Sequence, residues 1–204
     1  MATVEISPGL RGVEEMLYPR GPVPAFEAQM LDGDRKWTLA EQTPGTFTLI
    51  VVYRGHHCRA CKAYLTALNE KVKGFQDLGI ETFVVSAESR ERVQLAKDEW
   101  GLSNLVMGYG LDLATGHAWG LYISDISDIA QFQDISGYQD DAASEPFRHF
   151  EPGLFVVRGS DKTLFYTSIQ NMPFGRPDFD QLKMGLGIFL HRGIEARGNV
   201  RLPD

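Results

Sequence analysis

The chain has two cysteines, Cys58 and Cys61, with two residues between them. A Cys-x-x-Cys pair can exchange thiols and disulfides, supply half of a metal site, or simply fill a core. A structural zinc site normally takes a second pair of ligands from elsewhere. Here no third cysteine exists, and His117, His149 and His191 stand alone without ligand spacing. The composition therefore favours a redox pair over a metal site or idle core cysteines.

A predicted strand and a predicted helix flank the pair. Residues 47–53 form an unbroken apolar and β-branched run, which is typical of a central strand buried on both faces. After it, apolar residues recur at spacings of three and four, the pattern of one buried helix face. This stripe comprises Cys61, Tyr64, Leu65, Leu68, Val72 and Phe75. Cys58 then falls at the first turn, where free backbone N–H groups and the helix dipole stabilise an anion.

These positions predict different roles for the two cysteines. We expect Cys58 to be exposed and to attack as a thiolate, because cations near a thiol lower its pKa. The nearby basic side chains are Arg54, His56, His57, Arg59 and Lys62. Cys61 is in phase with the buried stripe, so we expect it to be sheltered and to resolve the intermediate.

Strands and helices alternate through most of the chain. Buried strands are predicted at residues 80–86, 153–157 and 163–169, the last two antiparallel, and helices at 89–100 and from Pro177 to Gly193. This alternation indicates an α/β fold with a central sheet covered by helices on both faces. In such sheets chemistry gathers at the carboxyl ends of the strands, where Cys58 falls.

Both ends of the chain and one internal stretch are additions to this pattern. Residues 1–20 are predicted to form an arm, and residues 26–39 a β-hairpin turned by Asp32-Gly33-Asp34. A short helix is predicted within residues 111–121. An inserted loop with a short helix is predicted at about residues 122–150, where no sustained apolar period occurs.

Composition excludes several classes of function. Asp and Glu number 27 against 20 Lys and Arg, giving a net charge of −7 and no basic stripe, so nucleic acid and anionic membrane are not expected partners. The first 20 residues lack a signal-peptide pattern, and no segment is long and apolar enough to span a membrane. We expect a cytoplasmic protein, in which a cysteine pair is more often catalytic than a permanent crosslink.

The stretch VVYRGHHCRACK resembles the redox site of thioredoxin-fold proteins. Its YRG, together with PFGRPDFDQL near the end of the chain, resembles the peroxiredoxin-like redoxins of the alkyl hydroperoxide reductase/thiol-specific antioxidant family. The resemblance spans about Gly21 to Leu190. It implies a thioredoxin-like domain at residues 21–194, with a central mixed sheet, preceded by the arm at 1–20 and followed by a tail at 195–204.

The resemblance also implies further site residues. Thioredoxin-like proteins place a cis proline against the cysteine pair, and Pro152 occupies the matching position. Peroxiredoxins carry Pro-x-x-x-Thr-x-x-Cys and an arginine before the strand that reads GLF here. Aligned without gaps, their proline, threonine, peroxidatic cysteine and first arginine fall on Arg54, Cys58, Cys61 and Pro152, so only the cysteine is retained.

The peroxiredoxin threonine hydroxyl and first arginine guanidinium stabilise charge on the peroxide oxygens. Their absence here weakens the case for peroxide reduction. Arg54 or His57 are the candidate substitute donors, and a second peroxiredoxin arginine is retained as Arg176. The function expected is therefore thiol–disulfide exchange by Cys58 and Cys61, supported by Pro152, Arg54, His57 and Arg176. The alternatives are a thiol peroxidase and a non-catalytic metal-binding domain.

No cofactor is expected beyond an external thiol reductant. The expected substrates are protein or small-molecule disulfides, or peroxides. A homodimer is compatible with the sequence, which does not specify an assembly.

Overall fold

A computed structural model describes residues 17–129 and 147–200. The strands are β1 Glu27–Met30, β2 Lys36–Thr38, β3 Phe47–Val52, β4 Ile80–Val85, β5 Val106–Tyr109, β6 Ile123–Asp125, β7 Arg148–Phe150, β8 Gly153–Arg158 and β9 Leu164–Ile169. The helices are α1 Arg59–Gln76, α2 Arg90–Glu99, α3 Leu113–Ala118 and α4 Phe179–Arg192. Single 3-10 turns lie at Leu39–Glu41 and Ile126–Ile129.

Seven strands form one mixed sheet in the order β2-β1-β5-β4-β3-β8-β9, and β6 pairs with β7 beside it. β3 runs parallel to β4 and antiparallel to β8. Alternate β3 residues lie in two separate cores, Leu49 and Val51 on the side of α1, α2 and α4, and Ile50 and Val52 on the side of α3 and the N-terminal strands. The predicted α/β class, with a central mixed sheet between helices, is confirmed.

The helix that follows β3 has the predicted buried face. Cys61, Leu65, Leu68, Val72 and Phe75 are all buried on α1. Burying a large aliphatic or aromatic side chain contributes about 1.5–3 kcal/mol, so this face fixes α1 against the sheet. Because Cys61 belongs to the same face, the core also fixes the position of its sulfur.

The last helix begins differently from the prediction. Pro177 was predicted at its first position, but α4 starts at Phe179, and Asp178 is its N-cap. The Asp178 carboxylate accepts from the N–H of Gln181 at 2.9 Å, which satisfies one of the free N–H groups of the first turn. Pro177 therefore lies before the helix. Gly193 ends the helix in the left-handed conformation, φ 60°, as predicted.

Three strands are not predicted by the sequence patterns. β5 has four residues and contains Gly108, where an added Cβ would lie 2.4 Å from the Phe83 ring. The short strands β6 and β7 pair with each other inside the stretch at about residues 122–150, for which only a loop with a short helix is predicted. The arm through residue 16, residues 130–146 of the insertion and the last four residues lie outside the described part of the chain.

Among the described residues, no helix is both long enough and apolar enough to cross a membrane.

Candidate active site

The turn from β3 into α1 is held by the end of the neighbouring strand. Gly55 has a φ of 146°, and a Cβ there would lie 2.5 Å from the Glu88 carboxylate, so only glycine fits without displacing it. Both oxygens of the buried Glu88 accept from the backbone N–H of His56, at 2.9 and 3.0 Å. Glu88 follows β4 and was not singled out from the sequence. It ties the carboxyl ends of the two parallel strands together just before Cys58.

Cys58 is the N-cap of α1, as the sequence positions it. Its sulfur accepts from the backbone N–H of Cys61 at 3.2 Å. The prediction that Cys58 is exposed is wrong, because only 1% of the residue is accessible, and Cys61 is fully buried. A capping sulfur turns back toward the helix end, and two arginine side chains flank it there. Both cysteines are reduced.

Arg54 and Arg176 approach the sulfurs from two parts of the chain. Arg54 comes from the β3–α1 turn and places Nη1 4.0 Å from the Cys58 sulfur. Arg176 lies between β9 and α4 and places Nη2 4.0 Å from the Cys58 sulfur and 3.1 Å from that of Cys61. Its Nη1 donates to the Ala60 carbonyl at 2.9 Å. The structure thus brings four predicted site residues together.

The two thiols are held in opposite states. A hydrogen bond from the Cys61 thiol is the main cause that lowers the pKa of Cys58 to about 5. Burial opposes this shift, while the Cys61 N–H and the charges of Arg176 and Arg54 add to it. Burial raises the pKa of Cys61 well above its usual value, and the hydrogen bond to Cys58 and the Cys58 charge raise it further. At neutral pH the site therefore holds a Cys58 thiolate beside a Cys61 thiol.

Arg54 is itself buried and paired. Its Nε lies 3.1 Å from an oxygen of Glu151, whose other oxygen accepts from the Ser124 hydroxyl at 2.8 Å. His149 Nε2 lies 3.6 Å from that second oxygen. Burial would raise the pKa of Glu151, but His149, Arg54 and Ser124 hold it below its usual value. The Glu151 carboxylate compensates the Arg54 charge, and this attraction offsets the free energy that is lost when the guanidinium is removed from water.

His57 does not supply the positive charge that the sequence suggested. Burial, followed by the fields of His149 and Arg54, lowers the pKa of His57 to about 3, so its ring is neutral at pH 7. The His57 ring packs edge-on against that of His149, with centroids 4.9 Å apart. His56 pairs instead with Glu99, at 2.8 Å. The charge near Cys58 therefore comes from arginine.

Pro152 is placed beside the site but in another conformation than predicted. No peptide bond within residues 17–129 and 147–200 is cis, so the expectation of a cis Pro152 is wrong. The backbone on either side is held in hydrogen bonds, from the Glu151 N–H to the Tyr122 carbonyl at 2.8 Å and from the Gln170 N–H to the Pro152 carbonyl at 2.9 Å. These bonds fix the extended trans chain. Pro152 and Arg176 line the same small cavity.

Tyr64 links the Arg176 segment to α1. The Arg176 guanidinium lies over the Tyr64 ring, 5.2 Å from its centre, and the Tyr64 hydroxyl donates to the Pro177 carbonyl at 2.9 Å. The sequence signalled Tyr64 only as part of the apolar stripe. The only sequence feature that points to Glu151 is its position next to Pro152. No sequence feature distinguishes His149 from a histidine of the core.

Within residues 17–129 and 147–200, no group of three or more His, Cys, Asp or Glu side chains is placed to hold a metal ion. The alternative of a metal-binding domain thus finds no ligand cluster in the described part of the chain.

A thioredoxin-like sheet with a helix-capping cysteine in a Cys-x-x-Cys pair defines the class of thiol-based redox proteins. The sequence signature of the AhpC/TSA family matches residues 19–141, which is more than half of the chain. The chain belongs to this family. It is thus a peroxiredoxin-like redoxin of the thioredoxin-fold superfamily, and an oxidoreductase.

Solved structures with the same fold include the reduced 2-Cys peroxiredoxin of Plasmodium vivax, with a TM-score of 0.63 and 13% identity over 86% of this chain and 98% of that one. The AhpC of Enterococcus faecalis has a TM-score of 0.59 and 17% identity over 92% and 100% of the two chains. A peroxiredoxin-like protein of Aquifex aeolicus has a TM-score of 0.60 and 10% identity over 85% of this chain and 88% of that one. These identities establish the fold alone. No curated protein matches the sequence.

Proposed function

We propose that this protein is a thiol–disulfide oxidoreductase in which Cys58 attacks and Cys61 resolves. Its substrates would be protein or small-molecule disulfides, and an external thiol would return the oxidised Cys58–Cys61 pair to the reduced form. The same proposal places the protein in the cytoplasm, without a cofactor and without nucleic acid or membrane as partners.

One observation carries the proposal: the Cys58 sulfur caps α1 by accepting from the Cys61 N–H at 3.2 Å, with Arg54 and Arg176 both 4.0 Å away. A sulfur with these donors is stabilised as a thiolate, and the thiolate is the nucleophile in disulfide exchange. Cys61 is fully buried, and its pKa is raised well above the usual value. These surroundings favour Cys58 as the attacking residue and Cys61 as the resolving one.

The electrons balance over two steps. The Cys58 thiolate attacks one sulfur of the substrate disulfide and forms a mixed disulfide, and the other substrate sulfur leaves with the bonding pair and takes up a proton. Cys61 loses its proton and attacks the Cys58 sulfur, which releases the second substrate thiolate. The substrate disulfide gains two electrons and becomes two thiols, and the cysteine pair becomes a disulfide.

Peroxide reduction is the second candidate, and the two guanidinium groups favour it. Arg54 and Arg176 both reach toward the Cys58 sulfur, so a peroxide bound there would find donors for both of its oxygens. The Cys58 thiolate would attack one oxygen and become a sulfenic acid as the O–O bond breaks. The leaving oxygen would take the bonding pair and a proton and depart as an alcohol or water. The Cys61 thiol would then condense with the sulfenic acid and expel water, leaving the same disulfide.

A paired assay tests these candidates. The purified protein is given a protein disulfide in one arm and hydrogen peroxide or an alkyl hydroperoxide with a thiol donor in the other. We expect faster turnover with the disulfide, and we expect Cys61→Ser to accumulate a mixed disulfide that Cys58→Ser does not form. Faster peroxide consumption would select the second candidate. A trapped complex found only with Cys58→Ser would overturn the assignment of the nucleophile.

Zinc content separates both candidates from the metal-binding alternative. Equimolar zinc in the purified, reduced protein, without turnover in either arm, would favour a binding domain.

A further inference from the structure

Arg176 is nearer to the resolving sulfur than to the attacking one. Its Nη2 is 3.1 Å from the Cys61 sulfur and 4.0 Å from the Cys58 sulfur. Only the first distance is that of a strong charge-assisted contact. The second donor that acts on Cys61 is the backbone N–H of Arg54, in the turn between β3 and α1. Two donors from different elements therefore converge on a thiol that is fully buried.

The segment that carries Arg176 is attached to the helix that carries Cys61. The guanidinium donates to the Ala60 carbonyl at 2.9 Å and lies over the Tyr64 ring, while Tyr64 donates to the Pro177 carbonyl. These contacts all lie on the first turns of α1. None of them involves the Cys58 sulfur, so the bond that this sulfur makes does not remove them.

The charges facing Cys61 change during the proposed reaction. In the reduced protein, burial, the hydrogen bond to Cys58 and the Cys58 charge all raise the pKa of Cys61, while Arg176 and the Arg54 N–H lower it. Once Cys58 is joined to substrate, its negative charge is gone and it no longer accepts the Cys61 proton. Of the causes that raise the pKa of Cys61, burial alone then remains, and Arg176 and the Arg54 N–H oppose it.

We propose that Arg176 is the catalytic residue of the resolving step, holding the Cys61 sulfur as a thiolate while it attacks the Cys58–substrate disulfide. The proposal rests on the proposed function, in which Cys58 is the nucleophile. In this step the Cys61–Cys58 bond forms and the Cys58–substrate bond breaks. The bonding pair leaves on the substrate sulfur, and the proton lost by Cys61 is balanced by the one that this leaving substrate thiolate takes up.

A small neutral disulfide, 2,2′-dithiodipyridine, resolves the two steps. Attack by Cys58 releases one thiopyridone, and attack by Cys61 releases a second, so stopped-flow absorbance follows both. A neutral probe avoids attraction to the guanidinium itself. The variants are Arg176→Met, Arg176→Lys, which keeps the charge without the planar fork, and Arg192→Met, which removes an exposed arginine of α4 as a control.

In Arg176→Met we expect the second phase to slow about tenfold or more at about pH 8, since each unit of pKa changes the thiolate fraction tenfold. Its pH–rate profile should move to higher pH. Arg176 also lowers the pKa of Cys58. The rate of the first phase is therefore compared on the high-pH plateau of its pH–rate profile, where Cys58 is fully ionised, and there we expect it to change by about threefold or less. Arg176→Lys should slow the second phase less, and Arg192→Met should alter neither.

An unchanged second phase in Arg176→Met, or a first-phase plateau slowed as much as the second phase, would overturn the proposal. Should Arg176→Met fail to fold, Arg176→Lys decides by the same comparison of phases. Failure of the proposed function is recognised separately: Cys58→Ser, instead of Cys61→Ser, would then capture the probe and release a single thiopyridone.

Discussion

The backbone N–H of Cys61 donates to the sulfur of Cys58 across 3.2 Å, so the N-terminal capping bond of α1 joins the two reactive residues. A capping side chain usually serves only helix stability. Here the acceptor is also the candidate nucleophile, and the negative charge that makes it reactive makes it a better cap. Helix stability and thiol reactivity therefore depend on the same bond.

An intramolecular disulfide should form readily between these cysteines. Both are reduced in the structure, and they lie within one helical turn. After mild oxidation, mass spectrometry of the intact protein should show the loss of two hydrogens, and a peptide map should place the bond between Cys58 and Cys61. Two thiols that still react with an alkylating agent after oxidation would refute this.

Alkylation should distinguish the two cysteines. With a Cys58 pKa of about 5, iodoacetamide should modify Cys58 before Cys61 at neutral pH, and the rate should rise with a midpoint at about pH 5. Cys61→Ala removes the thiol donor that is the main cause of this shift, so the midpoint should move upward. Cys61→Ser keeps a donor and should move it less. Faster modification of Cys61 in the native protein would support the peroxiredoxin-type assignment instead.

Removing the charge of Glu151 should destabilise the protein strongly. Glu151→Gln leaves the buried Arg54 without its counter-ion, and breaking a buried pair typically costs about 3–5 kcal/mol. The matched control is Glu195→Gln, which breaks the partly exposed pair with Arg158 and should cost about 0–1 kcal/mol. Urea unfolding at neutral pH measures both. Similar losses in the two variants would mean that the Arg54–Glu151 pair is not buried as described.

Acid should destabilise the protein partly through His57. Its folded-state pKa is lowered from 6.5 to about 3, so below about pH 6.5 the unfolded chain takes up a proton that the folded chain refuses. Stability should therefore fall as pH falls through this window, by up to about 1.4 kcal/mol per pH unit from this residue. His57→Asn should reduce the slope of unfolding free energy against pH, whereas the same change at the exposed His117 should alter it less.

The sequence predicted those parts of the site that depend on local pattern. The apolar run of β3 and the buried stripe of α1 are sufficient to place Cys58 at a helix start and Cys61 in the core, because burial repeats with the period of each element. The resemblance to peroxiredoxins pointed to Arg176, although that residue lies more than a hundred positions further along the chain.

The errors concern contacts between distant segments. Cys58 is buried because Arg54 and Arg176 flank it, and no spacing rule places Arg176 there. His57 loses its expected charge to burial beside His149. The sequence does not single out the Glu88 and Glu151 carboxylates, since their partners, the His56 backbone and Arg54, are remote in sequence. Such pairings are set by the tertiary fold.

Because both sulfurs are buried, the rate at which a reagent reaches them depends on how often the site opens. A reagent can meet Cys58 only in a transiently opened conformer, so the reaction scheme has a pre-equilibrium followed by a bimolecular step, as in amide hydrogen exchange. At low reagent concentration the rate should be second order and scaled by the opening constant. At high concentration the rate should become independent of the reagent concentration. The limiting rate is then the opening rate itself, and a more reactive reagent cannot raise it.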